Sequence, residues 1–169
     1  MFVLGVDPGL TRCGYGALQR TPNAEAPFRA VVAGVIETPA GDPLDRRLGA
    51  LAVEIDTLLD EITPAVVVVE RIFFQSNVRT AISVAQASGV VLAAAGRRGL
   101  EVIQLTPNEV KQTVVGHGGA TKAQVQQMVA RLCGLAEVPT PADVADALAL
   151  AACHLGSARL SAATRRALA

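Results

Sequence analysis

Pro64-Ala65-Val66-Val67-Val68-Val69-Glu70 holds four consecutive valines between a proline and a carboxylate. A run this apolar, with no alternation, predicts a strand buried on both faces, the kind found inside a parallel sheet. Such a strand ordinarily runs into turn residues. This one ends in Glu70 and continues as Arg71-Ile72-Phe73-Phe74. The N-terminus repeats the figure as Phe2-Val3-Leu4-Gly5-Val6-Asp7, followed by Pro8-Gly9. As parallel neighbours, the two strands bring Asp7 and Glu70 to the same end of a sheet. Adjacent carboxylates repel, and a divalent cation between them relieves the repulsion. An Asp before Pro-Gly also suits a plain turn, so the case for Asp7 rests on its company.

Outward from these strands the pattern is that of an α/β domain. Residues 13–19 predict a second strand carrying two glycines, and residues 28–38 a third. The loop Thr21-Pro22-Asn23-Ala24 lies between them, which makes an antiparallel meander with the first strand. Leu44, Leu48, Leu51, Ile55, Leu58, Leu59 and Ile62 then recur at helical spacing and deliver the chain to Pro64. Residues 78–98 predict a helix capped by Asn77 and rich in alanine, serine and glycine. Such a small-residue surface fits close packing either in the core or across a symmetric dimer. Residues 101–105 predict a fifth strand and Pro107 opens a short helix through Val115. After the loop Gly116-His117-Gly118-Gly119, Thr121 and Gln124 form a capping box for another helix. This order predicts a mixed five-stranded sheet flanked by helices on both faces. Residues 1–158 are expected to form the domain, and 159–169 a short basic C-terminal tail.

Composition sets limits on function. With 51% hydrophobic and 18% charged residues in 169, the chain is globular and long enough for a real core. No apolar run approaches a membrane span and no signal-type segment opens the chain, so a cytoplasmic protein is expected. Cys13, Cys133 and Cys153 lack a paired spacing, which fits reduced buried thiols. His117 and His154 are too sparse for a zinc site. Net charge is zero, yet six acids fall between Asp42 and Glu61 and six basic residues between Arg71 and Lys122. A neutral total can therefore hide a basic face.

The last helix carries the other informative acids. Thr140-Pro141-Ala142-Asp143 reads as cap, first-position proline and third-position acid, so capping alone accounts for Asp143. Asp146 has no such account, because Val144 to Leu155 is apolar nearly all round. A charge on a buried helix costs several kcal/mol unless it is paired or binds metal. Asp143 and Asp146, three apart, also share one face. Asp7, Glu70, Asp143 and Asp146 thus form an all-oxygen set suited to Mg2+, with Mn2+ as a substitute, one or two ions per subunit. Such a site hydrolyses phosphodiesters with no histidine base.

The motifs Gly5-Val6-Asp7-Pro8-Gly9, Glu70-Arg71-Ile72-Phe73, Lys111-Gln112-Thr113-Val114-Val115-Gly116, Lys122-Ala123-Gln124-Val125-Gln126 and Ala142-Asp143-Val144-Ala145-Asp146-Ala147-Leu148-Ala149 span nearly the whole chain. Together they resemble the RuvC family of bacterial Holliday-junction resolvases. The resemblance implies an RNase H-like fold and a Mg2+-dependent homodimer that nicks two strands of a four-way DNA junction symmetrically, in recombination and repair. It further implies work beside the RuvA-RuvB branch-migration complex. Asp7, Glu70, Asp143 and Asp146 fall on the family's catalytic acids, Lys111 and Lys122 on its basic positions, and Phe73 on its junction-contacting aromatic. Asn77, Arg79, Gln112 and Thr113 complete the expected DNA contacts. Of the adjacent aromatics, Phe73 is assigned to DNA and Phe74 to packing, since successive side chains of an extended segment face opposite ways. An actin-like phosphotransferase lacks room for its second half, a silent junction-binding module has no use for four acids, and an RNase H acting on hybrids is the nearest rival.

Overall fold

The computed structural model describes residues 2–71 and 78–167, with 78–80 and 158–167 by backbone alone. Strands β1 (Val3–Asp7), β2 (Arg12–Arg20) and β3 (Phe28–Glu37) form the expected meander. Helix α1 (Leu44–Ile62) then leads to β4 (Val66–Glu70), and α2 (Val78–Arg97) to β5 (Glu101–Leu105). The rest is helical: α3 (Pro107–Val115), α4 (Lys122–Leu132) and α5 (Ala142–Ala167). The sheet order is β3-β2-β1-β4-β5, with β4 parallel to both β1 and β5. Helix α5 runs through position 159 to Ala167, so the expected tail lies on its backbone as far as the structure describes it.

The valine run does what its composition dictates. Val67, Val68 and Val69 are fully buried, alternating between two cores on opposite faces of the sheet. One core packs Leu4, Val6, Val67 and Val69 under α1 and α2. The other packs Val3, Leu18, Val66 and Val68 under α3, α4 and α5. Cys13, Cys133 and Cys153 are free and buried within these cores.

At Gly5 and Gly14 helix α5 lies against the sheet backbone to backbone. A Cβ on Gly5 would collide with the Ala147 carbonyl oxygen, and one on Gly14 with the Asp143 carbonyl oxygen. On Gly16 a Cβ would come within 2.6 Å of Leu148 Cδ2. Glycine inside a strand is unfavourable in isolation and marks a place where another backbone approaches closely. Gly14 and Gly16 sit two apart on β2 and so face the same side. They and Gly5 form the floor that fixes the height of α5 above the strand ends.

One boundary differs from expectation. Helix α5 begins at Ala142, so Pro141 lies just outside it, its carbonyl accepting from Val144 N at 3.0 Å. Thr140 is not the cap, and Asp143 moves one place closer to the helix start. The expected Thr121–Gln124 capping box forms on α4, and Thr106 with Glu109 forms a second reciprocal box on α3 that the sequence reading did not name.

Candidate active site

Asp7 and Glu70 are the last residues of two parallel strands whose register pairs Val6 with Val69. By strand alternation both side chains point to the α5 face, the side occupied by Gly5 and Val68. Helix α5 crosses above, and Asp146 lines the same cleft, of about 310 Å³. Asp143 does not line this cleft; it rests over Gly14, one helical turn before Asp146, and its charge still reaches Asp7. Helix α3 contributes Lys111 and Val110 to the cleft wall, and α4 contributes Lys122 and Val125.

The electrostatics follow from this crowding. Burial, then the charge of Glu70 and a hydrogen bond shared with it, push the Asp7 carboxyl well above the usual carboxylate range. Asp146 and Asp143 add to that push. Glu70 is raised too, chiefly by burial, with its hydrogen bond to Asp7 acting in the opposite sense. Both shifts favour the protonated form, and a cation placed between the two carboxyls would oppose them.

Two cationic side chains answer the helix acids. Lys122 Nζ stands 2.5 Å from Asp146 Oδ2, and that contact holds the ammonium above its ordinary range. Lys122 is the first residue of α4, where the helix dipole disfavours a cation. A nearby anion offsets that penalty, and Asp146 supplies it. Arg12, opening β2, donates Nε to Asp143 Oδ2 at 3.1 Å and meets Glu37 Oε1 at 3.4 Å through Nη1. Nothing in the sequence reading singled out Arg12. The glycine spacing of β2, by contrast, was a readable signal for the close helix.

With Lys122 drawn onto Asp146, no three acids among the described residues converge into a ready-made coordination shell. The donor set still fits a hard divalent cation. The acids supply carboxylate oxygens alone, and among the described residues no cation forms an ion pair with Asp7 or Glu70, Lys122 acting on Glu70 only through its field.

The remaining expected contacts divide. Lys111 faces the cleft and has no carboxylate partner among the described residues. Gln112 is exposed and donates Nε2 to the Gly116 carbonyl at 3.0 Å. Thr113 lies on the far side of α3, lining a separate hollow with Arg20, Phe28 and Ala152, so it does not join Lys111 at the cleft. Phe73, Phe74 and Asn77 lie outside the described residues, as does the Arg79 side chain. The run of six basic residues is not one basic face: Arg97 and Arg98 pair with Asp56 and Asp60 of the acidic run. On α2, Ala93 is exposed and Ala85 half-buried, beside exposed Gly89 and Ile82.

Comparison with known proteins places this arrangement. Residues 3–154 match the family model described as crossover junction endodeoxyribonuclease RuvC. A crossover junction endodeoxyribonuclease RuvC from Frankia alni is 56% identical over 155 residues, covering 92% of this chain and 78% of that protein. The RuvC structure from Thermus thermophilus superposes with a TM-score of 0.88 at 36% identity, covering 95% of this chain and 97% of that one. The same protein in complex with a Holliday junction substrate matches with a TM-score of 0.88, covering 95% and 96%.

Proposed function

The chain belongs to the RuvC family of crossover junction endodeoxyribonucleases, and we propose that it resolves four-way DNA junctions through the acids Asp7, Glu70, Asp143 and Asp146. The observation that carries this reading is that Asp146, on an apolar buried helix, lines one cleft with two strand-end carboxyls whose ionisation burial and crowding disfavour. Mg2+ is the expected cation, with Mn2+ as its substitute. When bound, it supplies Lewis-acid stabilisation of the charge that develops on a phosphodiester in hydrolysis. The protein's own share is placement. Gly5 and Gly14 set the height of the helix acids, and the strand register sets the spacing of Asp7 and Glu70. Lys111 is free to neutralise a backbone phosphate beside the cleft.

Paired symmetric nicks need two sites. The exposed small-residue face of α2 supports a homodimer that supplies them, with Ile82 as an exposed apolar contact. Phe73 is assigned to unstacked bases at the crossover, and Asn77, Arg79, Gln112 and Lys122 to the DNA around it. Collaboration with a RuvA-RuvB branch-migration complex and a cytoplasmic location belong to the same reading. No helix among the described residues is long and apolar enough to cross a membrane.

A mobile four-way junction incubated with the protein and Mg2+ tests the reading against hybrid hydrolysis. Paired nicks at symmetric positions are expected, with an RNA–DNA hybrid left intact. Asp146→Asn should lower cleavage by about a thousandfold or more, roughly 4 kcal/mol of barrier, while junction binding persists. Near-normal nicking by that variant would remove Asp146 from the chemistry.

A further inference from the structure

Arg12 and Glu37 face each other across the β2–β3 pairing, at the end of the sheet where α5 begins. The guanidinium uses two edges: Nη1 meets Glu37 Oε1 at 3.4 Å, and Nε donates to Asp143 Oδ2 at 3.1 Å. The grip on Asp143 is by one oxygen. Oδ1 of Asp143 has no hydrogen-bond partner among the described residues. Beneath, Gly14 lets the Asp143 backbone rest on β2, so the main chain at this position is fixed independently of the side chain. What remains free is the rotation of the carboxylate, and Arg12 is the group that restrains it.

Resting on the reading of this cleft as a cation-dependent nuclease site, we propose that Arg12 is a positioning residue, anchored by Glu37, that holds Asp143 by Oδ2 and thereby presents Oδ1 to a divalent cation. Ligating carboxylates are typically oriented by an outer hydrogen-bond partner. A half-exposed ion pair serving the fold alone contributes little, and the two roles separate in one assay. The alternative electrostatic role, a positive charge that merely weakens cation binding, makes the opposite forecast.

The test is thermal unfolding against Mn2+ and Mg2+ concentration, which needs no DNA. Wild type should be stabilised by the cation, and Asp143→Asn should respond much less. Arg12→Gln should unfold at nearly the wild-type temperature without metal yet need on the order of tenfold more cation for its half-maximal shift. Glu37→Gln should need severalfold more, and Arg12→Lys should fall between wild type and Arg12→Gln. The cation requirement of junction cleavage should move in the same order. An unchanged or lowered cation midpoint in Arg12→Gln overturns the proposal. If Arg12→Gln fails to fold, Glu37→Gln decides by the same criterion. A wild type with no cation response defeats the metal reading of the site itself, and this proposal with it.

Discussion

On the α1–α2 face of the sheet, Arg97 and Arg98 meet Asp56 and Asp60 at 2.5 to 2.8 Å in the open. The hydrogen bonds from Arg98 hold both carboxyls below their ordinary range. On the α5 face the acids are gathered against the sheet, and the Asp7–Glu70 pair has no direct cationic partner among the described residues. The first group is electrically complete and solvent-screened, so it asks little of the fold. The second is incomplete and buried, so the fold must hold it together by other means. Those means are the valine core and a helix pressed backbone to backbone onto glycines. Charge is arranged for neutrality on one face and for reactivity on the other.

The sharpest way to break this contrast is to lift α5. Gly5→Ala places a methyl group on the Ala147 carbonyl, a backbone atom that cannot rotate aside. A loss of about 4 kcal/mol is expected, a large part of a small domain's stability. Urea unfolding measures it, and a loss below about 1 kcal/mol would show that the helix can ride higher at little cost.

Asp7→Asn should sharpen it from the other direction. The folded protein raises this carboxyl above its unfolded value, so the native state binds the proton more tightly. Stability is therefore greater at acid pH and falls as pH rises past the ordinary carboxylate range. Removing the charge should stabilise the metal-free protein near neutral pH by about 1–3 kcal/mol while abolishing cleavage. It should also flatten that pH dependence. A variant that melts below wild type at neutral pH in chelator would contradict the repulsion.

The smallest effect belongs to the neutral face. Asp56→Asn removes one carboxylate from an exposed network and should change stability by no more than about 0.5 kcal/mol, less still in high salt. A larger loss would mean that the α1–α2 pairing is a structural tie.

Periodicity and composition carried much of this. The valine run, the Asp7 repeat and the apolar surroundings of Asp146 each announced an element and an acid at its end. What stayed hidden was pairing between distant residues. Arg12 meets Asp143 across 131 positions, and no local pattern couples them. The basic run looked like a face because its partners lie in a different helix, with Arg97 41 positions from Asp56. The start of α5 lies one residue later than the Thr140-Pro141 pattern predicts, a boundary that local cap preferences alone did not fix. Lys111-Gln112-Thr113 reads as one cluster in a line of text, but helical rotation turns Thr113 away from Lys111.

The threading of the chain has a consequence for its birth on the ribosome. Asp7 lies on β1, Glu70 follows α1, and Asp143 and Asp146 come only with α5, more than 70 positions further on. Until α5 is released, β1 and β2 expose a glycine-floored groove with nothing to fill it, and the nascent chain holds two acids without their partners. Contacts between segments this far apart in sequence form late and slowly. The four proposed acids are therefore brought together only when α5 settles onto the sheet.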